Sequence, residues 1–219
     1  MKRCILIPAR SGSKGLYKKN LYQLKGKPLI SHVIDAALMS SIDDIWVSTD
    51  CEEIKEVSVS HMINVIDRPK NLAKDLSTDL CVFSHFVQNL NIHFDYIVHL
   101  RATFPKVTSK IIDDASNVFE NNFNEYDSLR SVIKSKENPY KMWHINNNKL
   151  ETVISNNLLH SSPRQIIPTS YTQNACIDII KPSTIINKKS MVGDACFPYI
   201  MPNNFDFDID TLEDIRRKL

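Results

Sequence analysis

The sequence predicts an α/β fold: a mainly parallel sheet with helices on both faces. Two observations carry this. Short apolar, β-branched runs alternate with longer stretches whose apolar residues recur every three or four positions. A glycine-containing, cationic loop also follows the first apolar run directly, at the strand end where parallel α/β sheets bind their ligands.

The strand candidates are residues 4–7, 45–49, 63–66, 96–100 and 131–134, each short and rich in Ile, Val or Leu. Helical patterns lie between them. Residues 28–40 place Leu29, Ile30, Val33, Ile34, Ala37 and Leu38 on one stripe; residues 77–90 do so with Leu80, Ser84, Val87 and Leu90. Residues 108–121 carry Ile111, Ile112, Ala115, Val118 and Phe119, with Thr108 as N-cap. From Pro139 the rhythm changes. "MWHINNNKLETVI" reads as two short strands around Asn146-Asn147-Asn148, a hairpin leaving the main sheet. Residues 161–174 form a polar, Pro-containing loop, residues 176–180 resume as a strand, and "FDFDIDTLEDIRRKL" reads as a strand leading into a helix. No linker separates two domains, so residues 1–219 are expected to form one domain, with residues 139–170 an arm and loop excursion.

Composition narrows the function classes. The 219 residues carry 27 Lys+Arg against 25 Asp+Glu, a net charge of only +2, which supports neither nucleic acid nor a membrane surface as partner. The first strand begins too early for a signal peptide, and no apolar run approaches the roughly 20 residues of a membrane span. The five cysteines are odd in number and widely spaced, so reduced core thiols of a cytoplasmic protein are expected rather than disulfides or a zinc site. The seven histidines form no metal-binding pattern.

The chain has only 4 glycines, yet Gly12 and Gly15 lie in the first loop among Arg10, Lys14, Lys18 and Lys19. Glycine lets a backbone approach a phosphate, and Arg and Lys neutralise it; the plainer alternative is a tight surface turn with solvated lysines. Lys14 precedes Gly15, so the Walker template fails, and "SGSKGL" lacks the G-x-G-x-x-G spacing. Near the C-terminus, period-two alternation puts Asp206, Asp208 and Asp210 on one face and Phe205, Phe207 and Ile209 on the other. Aligned carboxylates suit Mg²⁺. The alternative makes Asp210 a helix N-cap with Glu213 as its capping-box partner.

The ordered motifs resemble the acylneuraminate cytidylyltransferase (CMP-sialic acid synthetase) family. They are Pro8-Ala9-Arg10, Ser13-Lys14-Gly15-Leu16, Lys19-Asn20, "LKGKPLISHVIDAA", "IWVSTDCEEI", "DRPKNLAKDLST", "SPRQIIP", "QNACIDII" and "DIDTLED". The resemblance covers nearly the whole chain. It implies a Rossmann-like nucleotidyltransferase fold with a protruding hairpin dimerisation arm, and transfer of CMP from CTP to the anomeric hydroxyl of a nonulosonic α-keto sugar acid. Arg10, Lys14 and Lys19 are implied as catalytic triphosphate ligands, assisted by the amides of Ser11, Gly12 and Ser13. Asn20, Arg68, Ser77 and Thr78 are implied at the nucleotide, Arg164, Gln165 and Asn174 at the sugar acid, and Asp208 and Asp210 at Mg²⁺ or Mn²⁺. A homodimer through the arm is expected, since Met142, Trp143 and Ile145 would otherwise form an exposed apolar patch. Without the resemblance, Arg68 reads equally as a surface partner of Asp67 or Asp75, and Arg164 as a solvated loop arginine.

Two departures stand out. Arg101 replaces a family Gln linked to the nucleotide ribose, adding a phosphate contact or marking a changed ligand. Ala175 replaces a common Gly and either narrows the sugar pocket or stiffens a turn. Alternative readings are a nucleotidyltransferase for another acceptor such as Kdo, or a non-catalytic nucleotide-binding homologue.

Overall fold

In a computed structural model of the chain, residues 1–218 are described except Ser13, Lys14, Asn91, Asn156 and Asn157. Among the described residues the strands are β1 (Arg3–Pro8), β2 (Gln23–Leu24), β3 (Lys27–Pro28), β4 (Ile45–Thr49), β5 (Asn64–Asp67), β6 (Tyr96–Leu100), β7 (Ser128–Lys134), β8 (Trp143–Asn146), β9 (Lys149–Thr152), β10 (Tyr171–Ile180) and β11 (Cys196–Ile200). The helices are α1 (Leu29–Leu38), α2 (Glu52–Ser60), α3 (Asp79–Asn89), α4 (Ser109–Asn121), α5 (Pro182–Asn187) and α6 (Leu212–Lys218).

Seven strands form one sheet in the order β11-β7-β10-β6-β1-β4-β5. β10 runs antiparallel to both neighbours, whereas the other pairings are parallel. The chain steps outward from β1 through β4 to β5, then returns to place β6 on the other side of β1. The loops after β1 and β6 therefore diverge at the same sheet edge, and such a switch point opens a crevice beyond the strand ends.

The two faces explain the apolar runs. One core cluster packs Ile5, Ile7, Val98 and Leu100 beneath Ile30, Val33, Ile34, Ile112, Ala115 and Phe119 of α1 and α4. The opposite cluster packs Cys4, Leu6 and Ile97 against Val82, Phe83 and Phe86 of α3. Strands buried on both faces must be apolar throughout rather than alternating. The centre of the buried α3 face is thus Val82, Phe83 and Phe86, with the expected Leu80, Val87 and Leu90 only at its margin. Thr78 and Thr108 cap α3 and α4, accepting from the amides of Cys81 and Ile111.

β8 and β9 form a separate two-stranded ladder joined by Asn147 and Asn148, at φ 48° and 63°. Two left-handed residues make the tight turn whose twist matches a hairpin, and Asn tolerates that conformation. The thiols are free; Cys4 and Cys176 are buried, but Cys81 and Cys196 are exposed, so the expected core placement holds only in part. Among the described residues no helix is long and apolar enough to cross a membrane.

Residues 205–210 correct the strand expected there. They are extended but pair with no strand, their one ladder-like bond running from Ile209 N–H to the Thr103 carbonyl at 3.0 Å. The alternation itself holds: Phe205 and Phe207 pack on the main core and Ile209 is fully buried with Leu24 and Leu29. The apolar face is satisfied by packing on the core clusters rather than by a strand partner.

Candidate active site

The crevice at the switch point is a cleft of ≈190 Å³ lined by Pro8, Arg10, Gly12, Lys19, Asn20, Arg68, Leu72, Ser77, Asp79, Val82 and Thr103. Five motif residues from three separate stretches, Arg10, Lys19, Asn20, Arg68 and Ser77, are thus brought to one wall. Lys14 and Ser13 lie outside the described residues.

The first loop is held in shape by its neighbours. Asn20, 8% exposed, donates from its side-chain amide to the Arg10 carbonyl at 3.0 Å. Arg10 reaches across the cleft to Asp75 at 2.9 Å. Ser11 gives both its amide and its hydroxyl to Asp50, at 2.8 and 2.6 Å, so the amide expected to meet phosphate already has a partner. Gly12 faces open space, whereas a Cβ at Gly15 would collide with the Asp210 backbone carbonyl. Close packing of the loop onto the acidic segment therefore requires Gly15.

Arg68 is 6% exposed, which removes the surface ion pair as an alternative. It donates from Nε to Ser48 Oγ at 3.1 Å and from Nη2 to the Ser48 carbonyl at 2.6 Å; Asp67 pairs with Lys55 and Asp75 with Arg10. Burial pulls its pKa down to about 10 against the favourable fields of Asp50 and Asp79, leaving it charged at neutral pH. Ser77 Oγ accepts from the Lys74 amide at 3.0 Å and closes the loop before α3, while Thr78 serves as the helix cap.

Lys19 also connects this wall to the two aspartates. Lys19 Nζ contacts Asp210 Oδ1 at 2.8 Å, and Thr103 Oγ1 donates to Asp208 Oδ1 at 2.6 Å. Burial, and then the Asp210 carboxylate beside it, hold the Asp208 carboxyl above its ordinary range despite the Thr103 hydrogen bond. The capping alternative for Asp210 is displaced by one residue: the Thr211 and Asp210 amides donate to Asp214 Oδ2, and the Asp214 amide donates to Thr211 Oγ1. Thr211 and Asp214 are thus the reciprocal box at α6, and the Asp210 carboxylate is not used there. Among the described residues no three His, Cys, Asp or Glu side chains converge as a metal site. Two neighbouring carboxylates nevertheless suit Mg²⁺, which keeps water and takes its remaining oxygens from substrate phosphates.

Arg101 is tied down by Asp79 and Asp178, each at 3.3 Å, rather than lying free on the phosphate wall. The structure does not bring Arg164 and Gln165 into the cleft lining. They sit exposed on a 3-10 turn (Arg164–Ile166) at the arm base, where Arg164 lines a cleft with Lys134, Lys136 and Lys141. Asn174 is 4% exposed and donates to the Phe205 carbonyl at 2.9 Å, fastening β10 to the segment before the aspartates. Sequence reasoning missed Asp50, Asp75, Asp79 and Thr103, whose role depends on distant partners and leaves no local pattern.

Residues 4–191 match the family described as cytidylyltransferase. The chain belongs to that family. It is 30% identical over 98% of its length to an N-acylneuraminate cytidylyltransferase of Streptococcus agalactiae, and it spans about half of that protein, 52%. It is 29% identical to a pseudaminic acid cytidylyltransferase of Campylobacter jejuni, covering 98% of this chain and 94% of that one. The fold is shared with a CMP-2-keto-3-deoxy-manno-octonic acid synthetase solved with CTP, at TM-score 0.75 and 14% identity over 99% and 96% of the two chains.

Proposed function

We propose that this cytidylyltransferase-family chain transfers CMP from CTP to the anomeric hydroxyl of a sialic-acid-like, nonulosonic α-keto sugar acid and releases pyrophosphate, residues 1–219 acting as one domain. The observation that carries the reading is the cleft itself: three cations (Arg10, Lys19 and Arg68) and a carboxylate pair meet at the switch point beside β1. The anomeric oxygen bonds to the α-phosphorus as its hydroxyl proton passes to solvent, while the bond from that phosphorus to the pyrophosphate bridging oxygen breaks. No covalent enzyme intermediate is needed; catalysis is positioning and charge stabilisation.

Arg10 and Lys19 exchange their Asp75 and Asp210 partners for phosphate oxygens, with Lys14 beside them in the motif. Arg68, which uses Nε and Nη2 on Ser48, lines the cleft with Asn20 and Ser77, and these three serve the nucleotide. Asp208 and Asp210 would hold Mg²⁺ or Mn²⁺, which supplies charge neutralisation for the triphosphate and leaving group. Arg164, Gln165 and Asn174 serve the sugar acid. The exposed arm residues Trp143, Ile145 and Leu150, at 41%, 78% and 64%, are covered in a homodimer.

Calorimetric titration with CTP, ATP, GTP and UTP in Mg²⁺, followed by pyrophosphate release with a panel of sugar acids, tests the reading. CTP should bind most tightly and only a sugar acid should release pyrophosphate. Tighter binding of another nucleotide, or no release with any acceptor, overturns it.

A further inference from the structure

Beside the cleft, on the α3 face, lies a charged group that the reading above does not use. Strand register sets Asp178 of β10 opposite both His99 of β6 and Arg130 of β7. Asp178 is 4% exposed. It accepts from Arg130 Nε at 3.0 Å and from Arg101 Nη2 at 3.3 Å. His99 lies 3.7 Å from the same carboxylate. It is neutral at physiological pH, since burial and then Arg101 push its pKa down to about 4.

Two guanidiniums therefore share one buried carboxylate, and Asp79 supplies the second negative charge through Arg101. The anchor is buried but the forks reach the surface: the Arg101 and Arg130 side chains are 21% and 27% exposed. Each guanidinium has five N–H donors, and their contacts with Asp79 and Asp178 engage only some of them. Asp79, which holds the second arm of Arg101, also lines the nucleotide cleft. Arg101 therefore adjoins the cleft through Asp79, and Arg130 is joined to Arg101 through the shared Asp178 carboxylate.

We propose that Arg101 and Arg130, braced on Asp178, form the acceptor seat: a pair of forks for a planar oxygen group of the sugar acid, its carboxylate or its acyl amide, and not for the triphosphate. The inference rests on the nucleotidyl-transfer reading of the adjoining cleft. Guanidinium forks match such groups with paired hydrogen bonds, and a buried carboxylate fixes their orientation before the ligand arrives. Asp178 acts through the arginines and is a positioning residue.

The test uses the full chain with CTP and Mg²⁺, and three acceptors: N-acetylneuraminic acid, its methyl ester, and the analogue with a hydroxyl in place of the acylamide. Arg101→Gln and Arg130→Gln should each raise the acceptor KM about 10- to 100-fold, the effect of losing a charged hydrogen bond, with the KM for CTP within about 2-fold of the parent. If the carboxylate is seated, the defect disappears with the ester; if the amide is seated, it disappears with the hydroxyl analogue. Asp178→Asn should reproduce the acceptor defect, and thermal unfolding monitors its fold. Should that variant fail to fold, the two partly exposed arginine variants decide the matter. A rise confined to the KM for CTP, or no change in either KM, overturns the seat while leaving the proposed function intact. No transfer by the parent chain to any sugar acid overturns both.

Discussion

The switch-point cleft and the arm base treat their charges differently. Around the cleft, Arg10 meets Asp75, Lys19 meets Asp210, and Asp208 meets Thr103, each partner coming from a distant part of the chain. At the arm base, Lys134, Lys136, Lys141 and Arg164 surround a cleft of ≈300 Å³, and none of the four pairs with a carboxylate among the described residues. Under the proposed function, the first region is a preorganised cradle whose internal pairs give way to ligand, and the second is a surface that the proposed acceptor and second protomer complete. Preorganisation lowers the reorganisation needed during reaction, whereas an incomplete surface makes function depend on association.

The largest effect is expected from breaking the cradle at its acidic wall. Asp208→Asn and Asp210→Asn should each cut turnover about 10²–10³-fold, the loss typical of removing one charge-stabilising group. Stability should move the other way at Asp208. An acid whose pKa is raised on folding binds its proton more tightly in the folded state; its stabilising contribution is present below the ordinary carboxylate range and is lost as pH rises through the raised value. At neutral pH without divalent cations, Asp208→Asn should therefore raise Tm, and added Mg²⁺ should raise the parent's Tm only. A fall in Tm alongside turnover, with no Mg²⁺ response in the parent, would return the segment to architecture.

The arm comes next. Ile145→Asp places a charge on the exposed hairpin and should convert the expected dimer to a monomer in light scattering at micromolar concentration, while circular dichroism stays unchanged. A parent chain that is already monomeric at that concentration removes the dimer and with it half of the contrast.

Gly15→Ala probes the joint between loop and acidic wall. The added Cβ must displace the Asp210 backbone, so unfolding should show a loss of about 1–3 kcal/mol, as for other overpacked sites. Gly12→Ala, facing open space, is the internal control and should be near neutral. The smallest effect belongs to Ala175, at φ 61° in the irregular part of β10. Ala175→Gly relieves left-handed strain of about 1–2 kcal/mol but adds unfolded-chain entropy of about 0.5–1 kcal/mol. A net gain below about 1.5 kcal/mol should appear in denaturant midpoints.

The parts legible in the sequence were those with local causes. Runs buried on both faces announced β1, β4 and β6, and the Thr108 cap announced α4; Thr78, the cap of α3, was legible only as a motif residue. α2 was missed because its buried positions are only Ile54 and Ser58, too sparse for a stripe. β11 was missed because Pro198 interrupts it, which an edge strand tolerates. "DFDID" showed its alternation but not its lack of a strand partner, which only the neighbouring chain decides. In the site, the motif residues Arg10, Lys19, Arg68, Asp208 and Asp210 could be named in advance. Their partners could not: Asp75 was legible only as a possible mate of Arg68 and proves to pair with Arg10, and Thr103 carries no signal until folding brings it to Asp208.

Lys134 and Tyr171 lie opposite each other where β7 and β10 begin their pairing, so the segment carrying the hairpin leaves and rejoins the sheet at one gate. Loop-closure entropy grows only with the logarithm of length, about 0.6 kcal/mol for each doubling. The arm can therefore change in length at almost no cost to the sheet. Insertions and deletions that would break a central strand are absorbed there as a small entropic term.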